Sequence, residues 1–104
     1  MKLPRQVYAL VYEPTGKMYI GSSANVVKRF RVHISQLRHG KHPVVDLQAD
    51  FDRHGEHLKL IILDQIDVFA DRDKEYRWMT QLQTFDRRRG YNYQDPKWPH
   101  LRNA

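Results

Sequence analysis

The feature that most constrains this chain is a turn signal set between two strand-forming runs near its N-terminus. Val7-Tyr8-Ala9-Leu10-Val11-Tyr12 is rich in β-branched and aromatic residues, which fit a pleated, half-buried surface. Glu13-Pro14-Thr15-Gly16 follows, with a proline that presets φ and a glycine that tolerates left-handed backbone, so the chain reverses here. Lys17-Met18-Tyr19-Ile20-Gly21 then reads as the returning strand of a β-hairpin. Such a hairpin must be covered on at least one face. In 104 residues there is room for one modest core and no second domain.

The rest of the chain supplies the cover. Ser22 or Ser23 is a suitable helix cap, and Val26, Phe30, Ile34 and Leu37 then recur at helical spacing, with Val27 beside them, up to His39 and Gly40. Pro43 suits the first turn of a second helix, with Val44, Leu47 and Phe51 as its apolar stripe and Gly55 as its stop. Leu58 to Leu63 is almost wholly apolar and short, which predicts a buried central strand. A third helix is predicted from near Asp71 to about Gln83, with Tyr76, Met79 and Leu82 inward. Residues 84–93 form a basic loop, and Trp98 is the residue that packs a short end piece. The order ββααβα predicts an α+β domain: a small, mainly antiparallel three-stranded sheet flanked by helices. The domain is expected over residues 1–93, with an irregular C-terminal tail over 94–104.

Composition narrows the chemistry. No cysteine is present, so disulfides, thiolate metal sites and cysteine nucleophiles are excluded. The formal charge of +6 points to an acidic partner, with nucleic acid the first candidate and a merely basic surface the plain alternative. No apolar run approaches the ~20 residues of a membrane span. Met1-Lys2-Leu3-Pro4-Arg5 lacks the apolar stretch of a signal peptide, so a cytoplasmic setting is expected. The six histidines show no zinc-ligand spacing. Nucleotide-binding glycine loops and the nucleophile elbow are absent too.

A few residues strain a purely structural role. At about 100° per residue, Glu75 falls roughly 40° from the centre of the third helix's inward stripe. A carboxylate there needs a cation such as an arginine in an ion pair, a metal, or hydrogen-bond donors. Arg29 and His33 lie four apart and share one flank of the first helix, where they are either solvated or border a cleft. At a cleft, Arg29 suits a phosphate and His33 a proton-transfer or hydrogen-bonding role. Tyr8 and Tyr19 sit on opposite arms of the hairpin and face the same way; packing alone would explain them. Arg87-Arg88-Arg89 is either a solvated loop or a contact to a phosphate backbone.

The combination resembles the GIY-YIG endonuclease superfamily. Gln6-Val7-Tyr8 stands where the family has Gly-Ile-Tyr, and Met18-Tyr19-Ile20-Gly21 supplies Tyr-Ile-Gly intact. Arg29-x-x-x-His33 matches the family's helix, Glu75 in Lys74-Glu75-Tyr76-Arg77-Trp78 its glutamate, and Gly90-Tyr91-Asn92 its closing motif. The segment Leu47-Gln48-x-x-Phe51-x-x-His54-Gly55 and His42 further resemble the catalytic domain of phage intron-encoded homing endonucleases. Gln6 in place of glycine is a departure.

This resemblance implies a metal-dependent DNA endonuclease that hydrolyses phosphodiester bonds. Its implied catalytic residues are Tyr8, Tyr19, Arg29, His33, Glu75 and Asn92. One Mg²⁺ or Mn²⁺ ion would be held by Glu75, with no small-molecule cofactor and no membrane partner. Lys17, His42, Arg87, Arg88 and Arg89 are candidate DNA contacts. The proton-handling roles of Tyr8, Tyr19 and His33 are interchangeable at this level. A single such site cuts one strand per event, so a double-strand break requires a dimer or two binding events. Single-stranded or branched DNA is an alternative substrate, and a non-cleaving binding module an alternative function.

Overall fold

The computed structural model describes residues 4–66 and 73–100 of the chain. Strands β1 (Arg5–Tyr12) and β2 (Lys17–Ser23) form the expected hairpin. Gly16 adopts a φ of 72° at the reversal, a backbone conformation that favours glycine. Across the pair, Tyr8 faces Gly21 and Leu10 faces Tyr19, so both tyrosines project from one side of the sheet.

Helix α1 spans Val26–Arg38. Its cap is Asn25, whose side chain accepts the Lys28 N–H at 3.1 Å, and not Ser22 or Ser23. Ser22 is still in β2, and the Ser23 hydroxyl instead accepts the Asn25 N–H. Val26, His33 and Leu37 are the buried residues of α1, with Phe30 half-buried, whereas Val27 is 58% exposed. The inward seam therefore runs 26–30–33–37, and His33 lies in its middle, not on its flank.

Helix α2 (Val45–His54) starts after Pro43, which precedes the first turn instead of occupying it, and ends at Gly55 with φ 90°. Gln48 clamps the approach to α2: its amide donates to the Leu37 carbonyl and accepts the His42 N–H.

Strand β3 (Leu58–Ile66) pairs antiparallel with the free side of β1, giving the order β2-β1-β3. The apolar 58–63 run is thus an edge strand, not the central one. Ile61 and Ile62 are 45% and 47% exposed, while Val7 to Leu10 of β1 are buried without interruption. Val7 opposes Asp64 and Tyr8 opposes Ile62, so the ladder slips by one residue beside Tyr8. A bulge of this kind bends the strand and re-aims neighbouring side chains.

Helix α3 is Lys74–Leu82; the start expected at Asp71 lies outside the described residues. Glu75 and Met79 form its buried face. Tyr76 does not point inward as expected: it is 37% exposed and packs on Trp98, with ring centroids 5.7 Å apart.

The sheet is covered on both faces. Tyr8, Leu10, Tyr12 and Tyr19 pack with Val26, Leu37 and Leu47 from α1 and α2. Val7, Ala9 and Ile20 pack with Met79 of α3, Tyr93 and Trp98. Among the described residues no helix is long and apolar enough to cross a membrane.

Candidate active site

The end of the hairpin away from its turn gathers side chains from both covering layers. On the α1 side, the Tyr8 hydroxyl lies 2.8 Å from His33 Nε2, and His33 Nδ1 lies 2.8 Å from His42 Nε2. The two imidazoles stack at 5.1 Å, and Tyr19 meets His33 edge-on at 5.5 Å. All four side chains are buried. Burial, a low-dielectric cost on the charged form, raises the Tyr8 phenol to about 12, while the positive charge of nearby Arg29 opposes that rise. Arg29 is itself exposed on α1, one turn before His33. Room for the phenol comes from Gly21: a Cβ there would stand 2.5 Å from the Tyr8 hydroxyl oxygen.

Burial also lowers His33 to about 3 and His42 to about 4. Both rings are therefore neutral at pH 7. The unfolded chain takes up their protons near pH 6.5, whereas the folded chain resists until about 4 and about 3. Between those limits the unfolded state binds more protons, so stability falls as pH drops. We expect the melting midpoint to decline from pH 6.5 to pH 4, and less steeply in a His33→Phe variant. Parallel slopes for the two proteins would contradict burial of a neutral His33.

Tyr19 is tied differently. Its hydroxyl donates to Asp95 Oδ2 at 2.6 Å, and burial together with that carboxylate holds its pKa well above 10. Asn92 is wholly buried, and its amide is used on both sides: Oδ1 accepts the Ile20 N–H at 2.8 Å and Nδ2 donates to the Ile20 carbonyl at 2.9 Å. It closes the outer edge of β2 as a neighbouring strand would, and so positions Tyr19 through the backbone.

On the α3 side, Glu75 is 4% exposed. Its Oε2 accepts from the Ser22 hydroxyl at 2.9 Å and from Lys97 Nζ at 2.7 Å. Among the described residues, the inward carboxylate thus has a cation from the end piece, Lys97, where sequence suggested an arginine. Lys97 also lies over the Trp98 ring at 5.3 Å. Among the described residues no three His, Cys, Asp or Glu side chains cluster as metal ligands.

Of the expected DNA contacts, Arg87, Arg88 and Arg89 are exposed on the loop after α3. Arg87 lies over Tyr93, Arg88 approaches Asp86, and Arg89 bonds Gln83. Lys17 sits over Tyr91 at 5.5 Å, on the turn side of the hairpin. His42, the other candidate contact, is buried, and its ring nitrogens face His33 and the Val44 N–H. Four residues of the site escaped sequence reasoning: Gly21 as the space for Tyr8, Ser22 and Lys97 on Glu75, and Asp95 on Tyr19. Only Gly21 carried a signal, as the last residue of Tyr-Ile-Gly; Asp95 and Lys97 fall in the stretch expected to be an irregular tail.

The comparisons with known proteins agree with this geometry. A family model described as the GIY-YIG catalytic domain matches residues 5–92. Intron-associated endonuclease 1 of Enterobacteria phage T4 is 30% identical over 91 residues, covering 86% of this chain and 36% of that protein. The chain thus spans little more than a third of that relative. A glutamate-to-alanine mutant of the catalytic domain of intron endonuclease I-TevI superposes with a TM-score of 0.74 at 26% identity, over 86% of this chain and 93% of that one. A second structure, the catalytic domain of homing endonuclease I-TevI, gives 0.71 at 25% identity, over 84% and 95%. The family match includes all three strands and all three helices, and this chain belongs to the GIY-YIG family.

Proposed function

We propose that this protein is an endonuclease that hydrolyses DNA phosphodiester bonds with the help of a divalent cation, Mg²⁺ or Mn²⁺. The observation that carries this reading is a buried phenol, Tyr8, hydrogen-bonded to His33 and under the positive charge of Arg29, beside a buried carboxylate on a chain of net charge +6. Phosphodiester hydrolysis needs a base for water and positive charge for the phosphate.

Tyr8 is the better base of the two tyrosines. The Tyr19 proton is committed to Asp95, whereas Tyr8 has cationic help from Arg29 against its burial. Tyr19 then orients the water or phosphate, and Arg29 also clamps the phosphate from the solvent side. The donor set fits a hard cation: one carboxylate at Glu75, no thiolate in the chain and, among the described residues, no group of three ligating side chains suit an ion that keeps several waters. When bound at Glu75, it would neutralise charge growing on the phosphate and leaving oxygens. Ser22 and Lys97 hold the Glu75 carboxylate in place.

The test is incubation with supercoiled plasmid in Mg²⁺, Mn²⁺ or EDTA, beside single-stranded and flap oligonucleotides. Nicked circles in either metal and none in EDTA are expected. DNA retention without product under every metal would replace the enzyme by a binding module. Gly21→Ala adds a local check. Its methyl group forces the Tyr8 ring off His33, at an expected ~1–3 kcal/mol of stability. A misplacement of about 1 Å at a reacting group lowers rate by about 10²-fold. Undiminished nicking by folded Gly21→Ala would remove Tyr8 from the chemistry.

A further inference from the structure

We propose that His42 is a positioning residue that sets the proton polarity of the Tyr8–His33–His42 chain, so that His33 donates to the Tyr8 oxygen and does not take its proton. The argument begins at a group with no choice. A backbone amide only donates. The Val44 N–H points at His42 Nδ1 at 3.1 Å, so that nitrogen carries a lone pair. A neutral imidazole has one proton, and in His42 it must then sit on Nε2. That nitrogen faces His33 Nδ1 at 2.8 Å, which must accept. The remaining His33 proton is on Nε2, aimed at the Tyr8 oxygen at 2.8 Å.

Every other assignment places two donors or two lone pairs against each other in a buried space. A proton on His42 Nδ1 would confront the Val44 N–H. A proton on His33 Nδ1 would confront the His42 Nε2–H. Burial keeps both rings neutral, in accord with this chain. The position of His42 is itself secured, since its backbone N–H donates to Gln48 Oε1 at 3.0 Å.

The consequence bears on the reaction, and rests on the nuclease reading above. The Tyr8 oxygen receives a hydrogen bond from His33, and the nearby Arg29 guanidinium favours its charged form; both steady a phenolate. The proton of neutral Tyr8 is turned away from His33. Two of the roles left interchangeable by sequence thus separate: Tyr8 handles the proton, and His33 steadies its oxygen.

The test is long-range ¹H–¹⁵N NMR of the histidine ring nitrogens in the full chain at neutral pH. We expect His33 and His42 both to carry their proton on Nε2. An Nδ1–H form of either ring overturns the proposal. This readout needs no DNA, so correct tautomers in a protein that cuts nothing would defeat the nuclease reading alone. Two variants extend it. His42→Phe keeps the ring shape but frees His33 Nδ1, and nicking should fall about 10- to 100-fold, as for residues that orient a functional imidazole. His42→Gln, whose amide still reaches His33 as a donor, should restore the His33 tautomer and most of the rate. An unchanged His33 tautomer in His42→Phe, or failure of His42→Gln to restore it, overturns the proposal.

Discussion

Glu75→Ala is expected to lower metal-dependent nicking by about 10³-fold, because a bound cation supplies several kcal/mol of charge stabilisation and each ~1.4 kcal/mol is tenfold in rate. The variant should fold. Alanine is at home on the buried face of α3, and the partners left behind are Ser22, half-buried, and Lys97, whose side chain is 52% exposed. Both can turn to water, so the stability change should stay within about 1 kcal/mol. Affinity for DNA should be largely retained, since the exposed arginines of the 87–89 loop are untouched. A thermal-shift titration gives a second readout: Mn²⁺ should raise the melting midpoint of the wild type and not that of Glu75→Ala. A Glu75→Ala protein that nicks plasmid like the wild type would refute the metal assignment.

Gly90→Ala is expected to damage the fold most. A Cβ at this position would lie 2.3 Å from Thr84 Cα and 2.4 Å from the Thr84 carbonyl oxygen. These are backbone atoms, so no rotamer change relieves the clash. The segment cannot back away either. The Arg89 carbonyl accepts from Met18 N–H, Tyr91 N–H donates to Met18, and Asn92 N–H donates to the Thr84 carbonyl. These bonds bring Asn92 onto Ile20. Overpacking of this kind costs about 1–3 kcal/mol or more, and each 1 kcal/mol moves the midpoint of a domain this size by about 4–8 °C. We expect Gly90→Ala to melt at least 10 °C below the wild type and to lose nicking through Asn92. A midpoint within 2 or 3 °C of the wild type would show that the 84–90 loop yields easily.

Much of the architecture was legible in the residues because it rests on local rules. The reversal at Pro14-Thr15-Gly16, the stop at Gly55 and the three helical stretches follow from turn chemistry and periodicity. Errors arose where burial depends on distant partners. The 58–63 run has the composition of a central strand, yet pairing put β1 in the middle and left Ile61 and Ile62 exposed. In α1 the apolar letters favoured Val27, but the seam admits His33 because Tyr8 and His42 satisfy its two nitrogens. Tyr76 looked like core and instead packs on the end piece through Trp98.

The opening hairpin remains the best example of the division. By itself, the sequence determined that the chain turns at residues 13–16 and that Tyr8 and Tyr19 share a face, because strand alternation and turn geometry act over a few residues. Family resemblance marked those two tyrosines as functional. Their difference came only from the tertiary structure: Tyr8 meets His33, 25 residues away, and Tyr19 meets Asp95, 76 residues away. A phenol's chemistry is set by the donors and acceptors within about 3 Å of its oxygen. In this protein folding brings those groups from α1 and from the segment after Asn92, so no local pattern around either tyrosine could encode them.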